Sequence, residues 1–315
     1  MRAIQVVAPR RIELVDVPKP EMAPGMVLTR TALVSICGSD WPNAMLTRPE
    51  AEYPMEPGRP GHEIVSVVEE SDVPELRPGD RVLDIAYDGA FREFQVRDPE
   101  RLIPLPKDRP LEELLMSQPL GVVLHGCHKW PSVLGWSVAV IGQGTIGLFF
   151  TTMLKMHGAR SIIALDMEDG RLALGKRLGA THTFNTAKED PIAGVLDLTG
   201  GQGVDMVVEA VGQELTYNLC VQLVRRTGYI TWYGLAKKNP MLIDCLALFR
   251  KEPTIFMSSQ GDREKDFSLA RDLIVSGRVD VRSVITHHLA IEQVQRGFEL
   301  AESREDGVVK IVLAF

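Results

Sequence analysis

Apolar positions in the first part of the chain come in short β-branched runs, such as Val27-Leu28-Thr29-Arg30-Thr31-Ala32-Leu33-Val34 and the segment 63–69. Turn-forming triplets separate such runs, at Ala23-Pro24-Gly25, Glu56-Pro57-Gly58 and Pro78-Gly79-Asp80. Runs of that length between breakers read as strands, so the chain up to about residue 118 predicts an all-β, barrel-like domain. From about residue 134 the pattern changes. Strand-like runs at 137–141, 161–166, 204–208 and 229–233 alternate with helix-length segments at 147–157, 168–178 and 215–223. Strands separated by helices imply a parallel, doubly wound sheet and an α/β fold. Beyond about 258 come a helix at 267–276 and strand-like pieces ending at 308–313, with no internal repeat or low-complexity tract.

A chain of 315 residues suits two domains better than one core. The formal net charge of −7, without any basic block, leaves no electrostatic footprint for nucleic acid or an anionic membrane. It fits a small neutral substrate. Cys37, Cys127, Cys220 and Cys245 are scattered and form no Cys-x-x-Cys pair, so a reducing, cytoplasmic setting is expected. Residues 1–17 alternate like a strand and lack a signal peptide's apolar run. The largely apolar stretch 133–153 contains Gly135, Gly142, Gly144 and Gly147, which fits a buried strand, a tight turn and a buried helix better than a membrane span.

The turn inside that stretch, Gly142-Gln143-Gly144-Thr145-Ile146-Gly147, matches G-x-G-x-x-G. The pattern is weak alone, but here a strand-like run precedes it and a helical one follows. The first glycine would permit the turn and the second would admit a pyrophosphate. The third would let the helix pack on the strand, and the helix N-terminus would supply amide donors. Asp166 closes the next strand, 19 residues beyond Gly147. A carboxylate there accepts ribose hydroxyls of NAD and repels the 2′-phosphate of NADP. A glycine turn in a non-binding α/β domain is the alternative.

Three features stand out in the β-rich half: Cys37-Gly38-Ser39-Asp40, Gly61-His62-Glu63 and Gln118-Pro119-Leu120. Thiolate, imidazole and carboxylate are the ligand types of catalytic zinc sites. Each feature also has a bland reading, as a core cysteine or a turn. Cys37 and His62 lie 25 residues apart with no short-range signature to decide between them.

Taken together, these pieces resemble the medium-chain dehydrogenase/reductase superfamily, in particular its zinc-dependent polyol (sorbitol and sugar) dehydrogenase branch. Arg77-Pro78-Gly79-Asp80-Arg81-Val82, Leu178-Gly179-Ala180, Val208-Glu209-Ala210-Val211-Gly212 and Leu248-Phe249-Arg250-Lys251 extend the likeness through nearly the whole chain. The resemblance implies a discontinuous GroES-like, mostly-β catalytic domain of residues 1–120 and 259–315. It also implies a Rossmann NAD-binding domain of 121–258, and a homodimer or homotetramer. It implies one catalytic zinc held by Cys37, His62 and a third ligand that differs between branches: the position of Gln118 in alcohol dehydrogenases, and that of Glu63 in polyol dehydrogenases. A neutral amide is the poorer ligand, so Glu63 is expected to bind and Gln118 to lie beside the zinc-bound water or substrate. Ser39 would take the substrate proton and Asp40 would orient His62. Ile146, Val211, Gly212, Tyr233, Gly234 and Leu235 would line the nicotinamide. Arg171 would contact the adenosine ribose and Lys310 would reach the pyrophosphate.

Two departures from the family pattern follow. Where relatives carry a cysteine-rich lobe, only the connection 84–90 joins two strands, so no structural zinc is expected. Where many relatives end a proton relay with histidine, this chain has Pro42, so protons must leave through ribose hydroxyls, water or another side chain. Trp41, Tyr53, Phe91 and Arg92 are candidate cleft residues. The implied reaction moves a hydride between a secondary alcohol and NAD. A zinc-free quinone or enone reductase of the same superfamily, or a catalytically silent cofactor-binding protein, are the alternatives, and metal content separates them from the zinc enzyme.

Overall fold

The computed structural model describes residues 1–46, 49–86 and 88–315. Its contacts divide the chain into two compact units, 1–119 with 263–315 and 120–262.

The first unit opens with β1 (Arg2–Ala8), β2 (Arg11–Asp16) and β3 (Val27–Ile36). Helix α1 (Asp40–Met45) follows, then β4 (Glu63–Ser71), β5 (Arg81–Ile85), β6 (Phe94–Arg97) and β7 (Leu102–Leu105). Helix α2 (Leu111–Leu115) ends this stretch, and α3 (Ser117–Cys127) begins in the first unit and runs on into the second. In the second unit β8 (Ser137–Ile141), β9 (Ser161–Asp166), β10 (His182–Asn185), β11 (Val204–Glu209), β12 (Val224–Trp232) and β13 (Thr254–Met257) form one sheet. Between them lie α4 (Thr145–Met156), α5 (Asp169–Leu178), α6 (Pro191–Leu198), α7 (Glu214–Leu223) and α8 (Cys245–Lys251). The chain then returns to the first unit as α9 (Ser268–Val275), β14 (Ile285–Ala290), α10 (Val294–Ser303) and β15 (Lys310–Ala314).

The second unit's sheet is parallel throughout, in the order β10-β9-β8-β11-β12-β13. Every residue of the central strand β8 is buried, as a strand covered on both faces requires. The order reverses between β8 and β11, and the strand ends there form the crevice in which doubly wound sheets bind ligands. The 133–153 stretch is indeed strand, turn and helix, and no helix among the described residues is long and apolar enough to cross a membrane. Three elements here have no clear hydrophobic period in the sequence. β10 and β13 have only four residues each, and α8 is short and set by the Asp244 side chain, which accepts the Ala247 N–H at 2.9 Å.

In the first unit a seven-stranded sheet runs β14-β15-β3-β4-β5-β7, with β6 also on β3. The last strand of the chain thus lies beside β3, pairing Val312 with Ser35 and Ile311 with Ile36. On the other side of β3, Ser35 faces Glu63 of β4. Val294 and Phe298 of α10 pack over Ile36, Ile64, Phe91 and Ile311, and a β-carbon on Gly297 would press within 2.9 Å of Ile36. That packing holds β15 in place, and β15 completes the candidate site.

Candidate functional site

Residues from three neighbouring strands of the first unit meet at one end of its sheet. Cys37 follows β3, and His62 and Glu63 open β4. One ligand atom from each of the three lies within 4.8 Å of the others. Tetrahedral zinc, with bonds of about 2.0–2.3 Å, spaces its ligands by roughly 3.5 Å, so small side-chain adjustments bring this set to zinc geometry. Cys37 and His62 are partly accessible, whereas Glu63 is buried.

Asp40 braces the group from the first turn of α1. Its Oδ2 accepts the Cys37 N–H at 2.9 Å, and its Oδ1 lies 3.2 Å from His62 Nδ1. Nδ1 is thereby engaged and Nε2 is the nitrogen left for a metal. Burial alone would depress the His62 pKa, but the Asp40 carboxylate and the Cys37 sulfur outweigh it and hold the imidazole well above its ordinary value. A site that favours a proton on this ring has the field that favours a divalent cation. Ser39 is the N-cap of α1, and Pro42 lies one residue further into the helix than Trp41.

Lys310 is where the structure departs from expectation. Its side chain does not reach outward toward a pyrophosphate. It is buried, and its ammonium lies 2.7 and 3.0 Å from the two Glu63 carboxylate oxygens and 3.3 Å from the Ile36 carbonyl. The reason is register: β15 pairs with β3, which places residue 310 level with the start of β4. The Ser35 hydroxyl also bonds Glu63. Burial would raise the Glu63 pKa, but Lys310 and then His62 overcome it and lower it. Burial would lower that of Lys310, and Glu63 and then Cys37 reverse this. The three donor side chains therefore sit beside one fixed ammonium, and the Lys310 charge enters any charge balance with a metal dication.

Gln118 is buried at the start of α3. Two of the candidate cleft residues are not cleft residues. Phe91 is fully buried, 5.9 Å from the Phe298 ring and directly under Gly61. Arg92 runs beneath Gly58, where its Nε bonds the Pro57 carbonyl at 2.7 Å and Nη2 bonds Glu56 at 2.6 Å. Both support the turn that carries His62. Trp41 and Tyr53 are half-buried against the same core. Within the connection 84–90, Tyr87 lies outside the described residues.

In the second unit the glycine turn joins β8 to α4. Gly142 has φ +90°, the left-handed region. A β-carbon on Gly147 would fall 1.8 Å from the Gly142 carbonyl oxygen, so only glycine lets α4 start there. A β-carbon on Gly144 would meet only Nη1 of Arg171, at 4.0 Å, which leaves the backbone open to a ligand with a guanidinium beside it. Asp166 is buried at the end of β9; its Oδ2 accepts the Gln143 N–H at 2.6 Å and its Oδ1 the Glu168 N–H at 3.0 Å. Each oxygen keeps capacity for another donor. Gln143, a variable position of the motif, is fully buried, donating to the Gly142 carbonyl at 3.1 Å and accepting from Thr151 at 3.2 Å. Nothing in the motif marks that role. Ile146 and Val211 are half-buried, Tyr233 stacks edge-on against Phe150 at 5.0 Å, and Leu235 is exposed.

The comparisons agree with both halves. Residues 23–107 match the alcohol dehydrogenase GroES-like domain, and residues 145–276 match the zinc-binding dehydrogenase domain. The chain belongs to the zinc-type alcohol dehydrogenases of the medium-chain dehydrogenase/reductase superfamily. It is 27% identical to an alcohol dehydrogenase of Cupriavidus necator, over 99% of this chain and 98% of that protein. A probable D-xylulose reductase A of Neosartorya fischeri is 29% identical over 92% and 90% of the two chains. The solved structure of an alcohol dehydrogenase from Thermus sp. ATN1 superposes with a TM-score of 0.88 at 26% identity, covering 100% of each chain. The dehydrogenase is thus an NAD-dependent, zinc-type oxidoreductase with the GroES-like and Rossmann architecture.

Replacing Lys310 with Met strands the Glu63 charge in the interior. The metal-free protein should lose about 3–5 kcal/mol of stability, and added zinc should restore most of the lost melting temperature by supplying the missing positive charge. Thermal melts with and without zinc measure both effects. Equal destabilisation in the two conditions would separate the ion pair from the metal.

Proposed function

We propose that the dehydrogenase interconverts a secondary alcohol, of the polyol, sugar or cyclitol kind, and its carbonyl, using NAD. The carrying observation is the convergence of Cys37, His62 and Glu63, with Asp40 on the other nitrogen of His62. The similarity to the xylulose reductase supports the substrate class.

In this reading Cys37, His62 and Glu63 hold one zinc per chain. When bound, zinc supplies Lewis acidity toward the substrate oxygen and NAD accepts the hydride. Ser39 receives the hydroxyl proton, and Gln118 orients the substrate. Pro42 carries no proton, so it ends any side-chain relay beyond Ser39 at that position; ribose hydroxyls of a bound cofactor, water or another side chain would have to take its place. Gly142, Gly144 and Gly147 form the pyrophosphate turn, and Asp166 with Arg171 holds the adenosine ribose. Ile146, Val211, Gly212, Tyr233, Gly234 and Leu235 line the nicotinamide. Residues 1–120 with 259–315 act as the catalytic domain and 121–258 as the cofactor domain, within one cytoplasmic enzyme whose cysteines stay reduced.

The same reading includes a homodimer, alone or within a homotetramer. Among the described residues β13 pairs only with β12, so its outer edge is open. On α8, which leads into it, Phe249 is 79% exposed, with Leu246 and, on β13 itself, Met257 also exposed. An open edge flanked by apolar side chains is covered most simply by the same strand of a second copy, which a two-fold axis brings antiparallel to itself. Phe249→Glu should shift the protein to monomer in light scattering; an unchanged mass would place the interface elsewhere.

Asp166 predicts preference for NAD over NADP. Asp166→Ser should relax the ratio of kcat/KM values on the order of 10–100-fold by removing a like-charge contact with the 2′-phosphate. Steady-state kinetics with both cofactors measures it, and a wild type equally active with NADP refutes the role of Asp166.

The third zinc ligand is tested with Lys310 neutralised, because Glu63→Gln alone would leave a buried ammonium unpaired. In the Lys310→Met background, adding Glu63→Gln should weaken zinc about 10–100-fold or more in chelator competition. Gln118→Ala should retain zinc and lower turnover. Zinc lost with Gln118 and kept without the Glu63 carboxylate would reverse the assignment.

A further inference from the structure

Glu209 has no part in the chemistry above. It ends β11 at the carboxyl edge of the parallel sheet and is fully buried. Its Oε1 accepts the N–H groups of Val211 and Gly212, at 2.9 and 2.8 Å, and the Thr216 hydroxyl at 2.7 Å. Its Oε2 is buried and has no hydrogen-bond partner. That oxygen lies in the seam between the loops that follow β11 and β12. A β-carbon on Gly234 would fall 2.6 Å from it and 2.3 Å from the Gly212 nitrogen.

The seam is stitched from both sides. The Glu209 carbonyl accepts the Tyr233 and Gly234 N–H groups at 3.0 Å each, and the Gly212 carbonyl accepts the Lys237 N–H at 2.9 Å. The Tyr217 hydroxyl donates to the Gly234 carbonyl at 2.7 Å. Burial raises the Glu209 pKa, opposed by Thr216 and the backbone donors. Tyr217 and Cys220, the other titratable groups facing it, are both pushed up, first by burial and then by the Glu209 charge. A buried carboxylate oxygen without a donor is costly, and its natural complement is a nearby positive charge.

We propose that Glu209 positions the two nicotinamide loops and stabilises bound oxidised cofactor relative to reduced cofactor. The oxidised nicotinamide ring is a cation and the reduced ring is neutral, so a fixed negative charge beneath these loops stabilises one and not the other. The inference rests on the assignment of Val211, Gly212 and Tyr233 to Leu235 to the nicotinamide given above.

The experiment measures dissociation constants of NAD⁺ and NADH by calorimetry on the full-length protein, together with melting temperatures. Glu209→Gln should weaken NAD⁺ by roughly three- to tenfold more than NADH, the scale of one charge acting across protein at an effective dielectric of about 20. Thr216→Val removes one donor but keeps the charge, and should lower stability with the NAD⁺/NADH ratio intact. If the glutamine variant does not fold, Glu209→Met is a second neutral replacement of similar length. A ratio within twofold of wild type in a folded neutral variant overturns the inference while leaving the cofactor assignment standing. Failure of the wild type to bind either form overturns both.

Discussion

A carboxylate cannot be left alone inside a protein, and the first unit is organised around that constraint at Glu63. Its side chain is essentially inaccessible and needs positive charge and donors on every free lone pair. The chain supplies them from far away: Lys310, 247 residues on, and Ser35 on the adjacent strand. Only the placement of β15 beside β3 delivers the ammonium, and only the packing of Val294 and Phe298 over Ile36 and Ile311 keeps β15 there. The C-terminal strand therefore belongs to the Cys37, His62 and Glu63 cluster as much as β3 and β4 do, because it sets the net charge there.

The second unit solves a different problem, that of bringing backbone close to backbone. Gly147 lies against the Gly142 carbonyl, Gly212 against that of Leu235, and Gly234 against the Gly212 nitrogen. Each is a place where a β-carbon would collide with main chain, which cannot rotate away. The contacts cluster at the carboxyl ends of β8, β11 and β12, at and beside the point where the strand order reverses. The polar groups packed among them, Gln143, Asp166 and Glu209, are held by N–H groups of the same loops. Loop shape and local charge are therefore fixed together.

Much of this was legible in the chain itself. The change from short β-branched runs to alternating strands and helices gave both fold types, because periodicity follows directly from which faces are buried. The glycine turn was readable because its chemistry is local: six consecutive residues between a strand and a helix. Asp166 was readable for the same reason, at the end of the next strand. The ligand types at Cys37, His62 and Glu63 were visible as residues, but their convergence was not, since no short spacing joins Cys37 to His62 and only the resemblance linked them.

What the sequence determined by itself was whatever depends on neighbours in the chain: element type, the glycine turn between β8 and α4 and the acidic end of β9. The tertiary structure decided what depends on strand order and register. It turned Lys310 from an expected pyrophosphate contact into the counter-ion of Glu63, because register with β3 fixes which way residue 310 can reach. It moved Phe91 from a cleft wall to the core beneath Gly61, because the two loops cross there. It made Glu209 more than a polar residue at a strand end, since the loop it pins to Val211 and Gly212 is completed by residues 233–237. Electrostatic partners and steric contacts form through space, and one residue of register separates a buried ion pair from a solvated side chain.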